Sequence, residues 1–343
     1  MPIRIAINGF GRIGRAAFKI ALENKNVQVV AINDLMDIKT LAHLLQFDTA
    51  YGQFKRKIQT TREGLTIDGV VIPVFSERDP AKLPWKKLKV DVVLECTGIF
   101  KEKKTAGAHL TAGASQVIIS APAKDGATQS LVSGTKHSED CIKKNSCDSV
   151  ISMASCTTNC ISPVMQVLES KFGIEKAMMT TVHAYTSTQS LVDGPHKDLR
   201  RARAAAQNII PTDTGAARAT TRVIPKINNL FDGIALRVPV ITGSLSDITA
   251  VLKRKKVTAE QINAAFKEAV KQPMYKGVLA VSNKPLVSSD FIGDSHSSIV
   301  DLEFTRVVGG NLVKVLAWYD NEWGYSTRLV EMAARVGAVA KKR

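Results

Sequence analysis

The chain has 343 residues, of which 45% are hydrophobic and 23% charged, a composition typical of globular proteins and unlike that of disordered or fibrous ones. At about 150 residues per domain, this length predicts two domains. No stretch approaches roughly 18 consecutive apolar residues and no signal-peptide pattern opens the chain, while a net charge of +16 favours anionic ligands.

The first 34 residues predict a strand, a turn and a helix, followed by a second strand. Residues 2–8 alternate apolar and polar side chains, and a helical spacing of apolar residues follows the turn. A second apolar run, Val27–Ile32, ends at Asn33 and Asp34. Because strand-helix-strand units are right-handed and connect parallel strands, we expect a parallel sheet here.

Helices and strands continue to alternate up to residue 153. The predicted elements are a helix at Ile38–Leu45, a hairpin around Asp68 and Gly69, a strand at Asp91–Glu95, a helix at Thr105–Ala112, and strands at Val117–Ser120 and Ser149–Met153. This alternation predicts an α/β domain with a doubly wound parallel sheet.

From residue 155 onward, long strands outnumber helices. The predicted strands are Ile174–Tyr185, Gly233–Val240, Leu245–Val251, Ile299–Thr305 and Leu312–Tyr319. The predicted helices begin at Ser155–Asn159, cover Ala259–Val270 and continue at Trp323–Ala338. This pattern predicts a second, α+β domain with a mainly antiparallel sheet.

Gly9, Gly11 and Gly14 form the pattern G-x-G-x-x-G between the first strand and the first helix. The first glycine permits a tight turn, the second lets the backbone approach a pyrophosphate, and the helix N-terminus directs N–H groups at it. Asp34, 20 residues after Gly14, is placed to accept hydrogen bonds from an adenosine ribose, which favours NAD over NADP. The first domain is therefore predicted to be a Rossmann domain that binds NAD. Loops after later strands are expected to border the same ligand, at Thr97 with Gly98 and at Ala121 with Pro122.

The five cysteines are an odd number, without a CxxC pair or the Cys/His spacing of a zinc site. We therefore expect reduced thiols, a cytoplasmic location and no bound metal. The basic runs are scattered and are not interleaved with aromatic residues, so nucleic acid is expected to be at most a secondary ligand.

Cys156 follows a predicted strand and begins a predicted helix, where the helix dipole and free backbone N–H groups stabilise a thiolate. The same N–H groups can receive an oxyanion. His183, within the next predicted strand, is a candidate general base for a covalent thioester mechanism. A buried structural thiol is the alternative for Cys156, since sequence separation does not show that the two side chains meet.

Several motifs follow one another along nearly the whole chain: INGFGRIGR, ASCTTNC, TVHAYT, HKDLRRARAAAQNIIPT, TGAARA, LRVPV and WYDNEWGYS. With these motifs the chain resembles the phosphorylating glyceraldehyde-3-phosphate dehydrogenases. The resemblance implies an NAD-binding domain of residues 1–154, completed by a C-terminal helical segment at 320–343, and a catalytic domain of residues 155–319. It also implies a homotetramer.

The same resemblance implies roles for individual residues. Cys156 would be the nucleophile, and His183 would activate it and then act as acid and base. The ligands of the substrate and of inorganic phosphate would be Ser155, Thr157, Thr186, Arg201, Thr214, Gly215 and Arg237. Thr186 and Arg237 would hold the substrate phosphate, and Arg200 is the alternative to Arg201 at the inorganic phosphate. The cofactor contacts that it implies are Arg12, Ile13, Asp34, Arg78, Ser120 and Asn321. The full set of predicted cofactor contacts also contains Tyr325 and the residues predicted above from the glycine pattern and the strand ends, Gly9, Gly11, Gly14, Thr97 and Gly98.

Three positions depart from the family pattern. Met153 stands in place of Asn, Asp213 in place of a small residue, and Arg218 in place of Lys. None of these changes removes a catalytic group. The Asp213 carboxylate would weaken anion binding by like-charge repulsion if it faced a phosphate site.

The implied reaction converts glyceraldehyde 3-phosphate, inorganic phosphate and NAD to 1,3-bisphosphoglycerate and NADH, a step of glycolysis and gluconeogenesis. One alternative is a related dehydrogenase acting on another phosphorylated aldehyde, such as erythrose 4-phosphate. A second alternative, of a different class, is binding of RNA or another polyanion through the net charge of +16.

Overall fold

A computed structural model describes residues 1–341, which form two compact units. The first unit contains Met1–Leu131, Asp140–Ala154 and residues 326–341. The second unit contains Val132–Glu139 and Ser155–Tyr325. The last two residues of the predicted C-terminal segment 320–343 lie outside the described residues.

The first unit is built on a parallel sheet. The elements up to residue 154 are β1 (Ile3–Asn8), α1 (Arg12–Glu23), β2 (Val27–Asn33), α2 (Ile38–Gln46), β3 (Phe47–Asp48), β4 (Gly52–Gln53), β5 (Ile58–Thr60), β6 (Gly64–Ile67), β7 (Val70–Phe75), a one-turn 3₁₀ helix (Pro80–Lys82), β8 (Val92–Glu95), α3 (Lys103–Ala106), α4 (Ala108–Thr111), β9 (Gln116–Ile119), β10 (Gln129–Ser130), α5 (Lys136–Lys143) and β11 (Val150–Ser152).

The strands of this sheet lie in the order β10-β11-β9-β8-β1-β2-β7 and run parallel, with β6 and β5 added antiparallel at one edge. Its central strands are mostly apolar and almost entirely buried, as expected of parallel strands covered on both faces. The predicted doubly wound sheet is confirmed. The predicted hairpin is also present, because Asp68 and Gly69 both adopt the positive φ that a tight turn between β6 and β7 requires.

The second unit is built on a mixed sheet. Its elements, together with the final helix, are α6 (Cys156–Phe172), β12 (Ile174–Ala184), β13 (Ile210–Asp213), α7 (Ala216–Val223), β14 (Phe231–Val238), β15 (Ser244–Leu252), α8 (Ala259–Ala269), β16 (Leu279–Ser282), β17 (Ser298–Val308), β18 (Leu312–Tyr319) and α9 (Trp323–Ala340), with single 3₁₀ turns at Pro225–Ile227, Pro273–Tyr275 and Ser288–Phe291.

The strand order is β13-β14-β12-β15-β18-β17-β16, and only the pairs β12–β14 and β16–β17 are parallel. The predicted, mainly antiparallel sheet is therefore confirmed. Helix α6 packs on one face of this sheet, beside α7 and α8. On the other face alternate residues of the central strands are exposed or half-buried, as in a sheet covered by helices on one side only.

Some elements differ from the sequence predictions. The predicted helix Thr105–Ala112 is two short helices that meet at Gly107, since glycine is a poor helix former. The sequence did not predict α5, α7, β13 or β16, which are too short or too polar for a clear apolar period. Residues 132–139, predicted within the first domain, belong to the second unit because Gly134 packs against Pro163 there.

Candidate active site

The glycine-rich turn lies between β1 and α1 and shows which glycines the protein itself requires. Gly9 has a φ of +92°, and a Cβ there would lie 2.6 Å from the backbone nitrogen of Thr97. A Cβ at Gly14 would lie 2.1 Å from the carbonyl oxygen of Gly9. A Cβ at Gly11 would meet no protein atom within 4 Å. The space beside Gly11 is thus open to a ligand at the N-terminus of α1, which is where a pyrophosphate is predicted.

Asp34 follows β2 and is joined to this turn. One of its carboxylate oxygens, Oδ2, accepts a hydrogen bond from the backbone N–H of Phe10 (2.6 Å), and Oδ1 accepts one from that of Met36 (2.9 Å). The carboxylate is half-buried and lies in the wall of an open cleft. Asp34 is therefore held beside the turn with a side exposed, which suits recognition of a ribose.

The other residues predicted to contact the cofactor have different settings. Arg12 begins α1, is paired with Asp48 (Nη1 to Oδ1, 2.9 Å) and lies over the ring of Tyr51. The remaining residues of the first unit are half-buried Ile13, Thr97 and Ser120, and exposed Arg78 and Gly98, of which Thr97, Gly98 and Ser120 follow parallel strands β8 and β9. Asn321 and Tyr325 belong to the second unit and are buried. The Oδ1 atom of Asn321 accepts hydrogen bonds from Gly243 and Ser244.

Cys156 is the first residue of α6. The preceding residue, Ser155, is the N-cap, and its Oγ accepts a hydrogen bond from the N–H of Thr158 (3.0 Å). The backbone N–H groups of Cys156 and Thr157 point at the cysteine sulfur. The helix terminus therefore places oriented donors around Sγ, as expected from the sequence.

His183 and Arg237 reach the same sulfur because of strand register. They are paired neighbours on the parallel strands β12 and β14, so their side chains leave the sheet on one face. His183 Nε2 lies 3.3 Å from Cys156 Sγ. On the other side of the imidazole, Nδ1 lies 2.6 Å from the carbonyl oxygen of Ala184, and with Nδ1 donating to this oxygen, Nε2 is the acceptor that faces the sulfur. Arg237 Nη1 donates to the same carbonyl oxygen (2.9 Å) and lies 2.7 Å from Nδ1. Cys156 and His183, which the sequence predicts as candidate catalytic residues without showing that they meet, are thus in contact.

Burial controls the protonation of this cluster. It raises the pKa of Cys156 above the usual value, although the Arg237 guanidinium and the backbone N–H groups oppose this. Burial, together with the charge of Arg237, lowers the pKa of His183 to about 3. The sequence predicted a lowered thiol pKa, whereas in the structure desolvation outweighs the helix terminus. The resulting pair is a thiol beside a neutral imidazole that can accept its proton.

Tyr319 is a member of this cluster that the sequence analysis missed. It ends β18, and its hydroxyl is hydrogen-bonded to Thr157 Oγ1 (2.9 Å) and Thr181 Oγ1 (2.8 Å). Its ring packs edge-on against His183, with the ring centroids 6.0 Å apart. Burial raises the pKa of the Tyr319 phenol, which keeps it neutral. Its place in the motif WYDNEWGYS was the available signal.

The predicted phosphate ligands are only partly gathered around this cluster. Arg201 Nε donates to Thr212 Oγ1 (2.9 Å) and faces Asp198 at 3.6 Å, and its charge acts on both His183 and Arg237. The flanking Arg200 is exposed, which favours Arg201 of the two. Thr157 belongs to the cluster through its hydrogen bond to Tyr319. The other three predicted ligands show only local contacts: Thr186 bonds to Thr188, Thr214 accepts from the N–H of Ala216, and Gly215 is the exposed N-cap of α7.

The three departures from the family pattern also have defined positions. Met153 is fully buried, whereas Asp213 and Arg218 are exposed. The carbonyl oxygen of Asp213, rather than its carboxylate, lies near Arg201 (3.4 Å).

Residues 1–341 contain neither a metal-binding cluster nor a membrane-spanning helix. No group of three or more His, Cys, Asp or Glu side chains is arranged to hold a metal ion. No helix in that range is long and apolar enough to cross a membrane. All five cysteines are free thiols.

Comparison with known proteins matches both units. Residues 3–103 match the family model described as the glyceraldehyde 3-phosphate dehydrogenase NAD binding domain, and residues 155–321 match the C-terminal domain of the same family. Glyceraldehyde-3-phosphate dehydrogenase of Thermotoga maritima is 53% identical over 96% of this chain and 97% of its own length. Glyceraldehyde-3-phosphate dehydrogenase 2 of Streptomyces avermitilis is 50% identical over 98% and 99%, and glyceraldehyde-3-phosphate dehydrogenase 1 of Bacillus subtilis is 49% identical over 98% of each chain. The chain belongs to the glyceraldehyde-3-phosphate dehydrogenase family.

Proposed function

We propose that this protein is an NAD-dependent phosphorylating glyceraldehyde-3-phosphate dehydrogenase of glycolysis and gluconeogenesis. The observation that carries the proposal is the contact of Cys156 Sγ with His183 Nε2 at 3.3 Å, backed by Arg237. Arg237 is half-buried, its Nε atom is buried without a hydrogen-bond partner, and no carboxylate of the described residues lies within ion-pair distance of it. A half-buried cation of this kind suits a phosphorylated substrate.

In the proposed first step, Sγ of Cys156 adds to the aldehyde carbon and its proton passes to His183 Nε2. The product is a thiohemiacetal whose oxygen is stabilised by the backbone N–H of Cys156 and the protonated imidazole. A phosphate bound to Arg237 offsets the charge that lowers the pKa of His183, so substrate binding favours protonation of the imidazole.

NAD, when bound, accepts the hydride that leaves the thiohemiacetal carbon. The open space at Gly11, the N-terminus of α1 and the Asp34 carboxylate fit a dinucleotide. These residues would hold the pyrophosphate and the adenosine ribose, with Arg12 beside them.

In the last step, inorganic phosphate attacks the thioester carbon, the acyl phosphate leaves, and Sγ regains a proton from His183. The proposed ligands of the attacking phosphate are Ser155, Arg201, Thr214 and Gly215. Arg237 and Thr186 are proposed to hold the phosphate of the substrate. The free energy released by oxidation of the aldehyde is thereby conserved in the acyl phosphate instead of being lost by hydrolysis of the thioester.

We also propose a cytoplasmic homotetramer. Free thiols throughout suit a reducing compartment. Large apolar side chains are exposed on the open face of the second unit's sheet, including Met178 (66%), and on the segment that carries Leu191 (75%) and Leu199 (80%). Such surfaces are typical of subunit interfaces. Light scattering on the purified protein measures the assembly, and a monomer at micromolar concentration would contradict it.

The test of function follows the absorbance of reduced nicotinamide while glyceraldehyde 3-phosphate, NAD and phosphate are added one at a time. We expect sustained turnover only with all three and none with Cys156→Ser. Neither alternative, erythrose 4-phosphate as substrate or RNA as ligand, is favoured by the similar proteins. Equal kcat/KM for erythrose 4-phosphate, or turnover without phosphate, would contradict the proposal.

A further inference from the structure

A buried polar network lies beneath the glycine-rich turn and centres on Glu95, the last residue of β8. Glu95 is 1% exposed, and one carboxylate oxygen, Oε1, accepts hydrogen bonds from both the backbone N–H (2.9 Å) and the hydroxyl of Thr97. The other oxygen, Oε2, accepts from Asn8 Nδ2 (2.5 Å) and lies 3.1 Å from His109 Nε2. Four donors therefore surround one buried carboxylate, which is the condition for burying it without a large cost.

Trp85 determines which nitrogen of His109 carries the proton. Both residues are completely buried, and Trp85 Nε1 lies 2.9 Å from His109 Nδ1. Because an indole N–H only donates, Nδ1 must be the acceptor, and the proton of the neutral ring is on Nε2. His109 is therefore oriented as a donor to Glu95, just as an outer partner orients a catalytic histidine.

The groups held by Glu95 belong to the two segments that border the predicted cofactor site. Thr97 begins the loop after β8, and Asn8 directly precedes Gly9 in the glycine-rich turn. The two segments are packed so closely that a Cβ on Gly9 would lie 2.6 Å from the nitrogen of Thr97. Asn8 in turn accepts from Asn33 Nδ2 (2.7 Å), at the end of the strand that precedes Asp34.

We propose that Glu95 is a positioning residue for dinucleotide binding, clamping the Thr97 loop to the glycine-rich turn, and that His109, oriented by Trp85, holds Glu95 in place. The inference rests on the proposed NAD site and adds residues that lie beneath the ligand rather than against it. A ligand that bridges both segments binds tightly only when their spacing is already set, so loosening the clamp weakens binding of the dinucleotide and leaves the chemistry at Cys156 intact.

The test compares three variants with the wild-type protein. Glu95→Gln turns one donor toward the donors of Asn8 and His109, and His109→Leu removes the donor to Glu95. His109→Gln retains an amide donor near the position of Nε2 and is the matched rescue. Thr220→Val is the control for general destabilisation, because it removes a buried hydrogen bond to Ser162 (3.2 Å) in the second unit.

We expect His109→Leu and Glu95→Gln to raise the Kd for NAD about tenfold, the effect of losing one hydrogen bond to a charged group, with His109→Gln closer to wild type. At saturating NAD, kcat and the KM of the aldehyde should stay within about twofold of wild type. Amide hydrogen exchange in the peptide containing Thr97 should accelerate in the same two variants and not in Thr220→Val. If Glu95→Gln does not fold, the two His109 variants decide the question.

Unchanged NAD affinity in His109→Leu, with only a lower Tm as in Thr220→Val, would show that the network is merely structural and overturn the inference. Unchanged exchange at Thr97 would overturn it too. If calorimetry detects no NAD binding to the wild-type protein, the proposed function is refuted. Hydrogen exchange at Thr97 would then still show whether the Glu95 network holds the Thr97 loop against the glycine-rich turn.

Discussion

Substitutions in the glycine-rich turn should separate effects on protein stability from effects on NAD binding. In Gly14→Ala the new Cβ would lie 2.1 Å from the carbonyl oxygen of Gly9, where real contacts of this kind are at least about 3 Å. The Gly9 oxygen is a backbone atom and the Cβ is fixed directly to the backbone of α1, so neither can move away without distorting the turn or the helix. We expect a loss of at least about 4 kcal/mol in the free energy of unfolding.

Gly11→Ala should behave in the opposite way. The backbone of Gly11 has φ −71° and ψ −160°, which alanine adopts readily, and its Cβ would meet no protein atom within 4 Å. Alanine there should leave the free energy of unfolding unchanged or raise it by about 0.4–1 kcal/mol, because alanine lowers the conformational entropy of the unfolded chain. The same methyl group would occupy the space predicted for the pyrophosphate, so the Kd for NAD should rise at least tenfold, or about 1.4 kcal/mol.

Thermal unfolding and calorimetric titration with NAD measure both quantities on each variant. Gly126→Ala is the matched control, since its Cβ also meets nothing within 4 Å but it is not in the turn. Wild-type NAD affinity in Gly11→Ala would refute the placement of the pyrophosphate. A Gly14→Ala protein as stable as wild type would refute the packing argument.

Three further predictions concern the reactive groups. Iodoacetamide should alkylate Cys156 faster as pH rises, because only the thiolate reacts. It should spare Cys160, because burial raises the pKa of that thiol to about 12. Equal labelling of the two cysteines in peptide mass spectrometry would contradict this prediction. Arg237→Ala should raise the KM of glyceraldehyde 3-phosphate roughly 10- to 100-fold, which is the effect of losing a charge-assisted contact. If activity with unphosphorylated glyceraldehyde falls by the same factor, Arg237 has a structural role and does not bind the phosphate. The wild-type protein should prefer NAD to NADP by at least about tenfold in kcat/KM, and Asp34→Ala should reduce this ratio. An unaltered ratio would mean that Asp34 does not contact the ribose.

The course of the first unit was readable from the sequence because its signals are local. Five of the six residues of Val27–Ile32 are apolar, as is typical of a doubly covered parallel strand, and only Gln28 is polar and exposed. Asp68 with Gly69 specifies a tight turn without help from distant residues. Short elements were missed for the same reason. The strand Leu279–Ser282 has only four residues, and its pairing with β17 is what makes it a strand.

The candidate site divides in the same way. The glycine-rich turn at Gly9, Gly11 and Gly14 and the position of Cys156 at a helix start were predictable from the sequence, because turn geometry and helix capping depend on neighbouring residues. Resemblance to a known family supplied the roles of the other site residues.

Which side chains are in contact, and how burial shifts their pKa values, depends on how distant segments pack together. Strand register brings Arg237 beside His183, and the end of β18 brings Tyr319 against the same ring. Burial raises the pKa of Cys156, against the helix terminus that the sequence showed. The clamp at Glu95 joins the ends of three strands. These features depend on strand pairing and desolvation, which arise between residues far apart in the chain and leave no mark in local sequence.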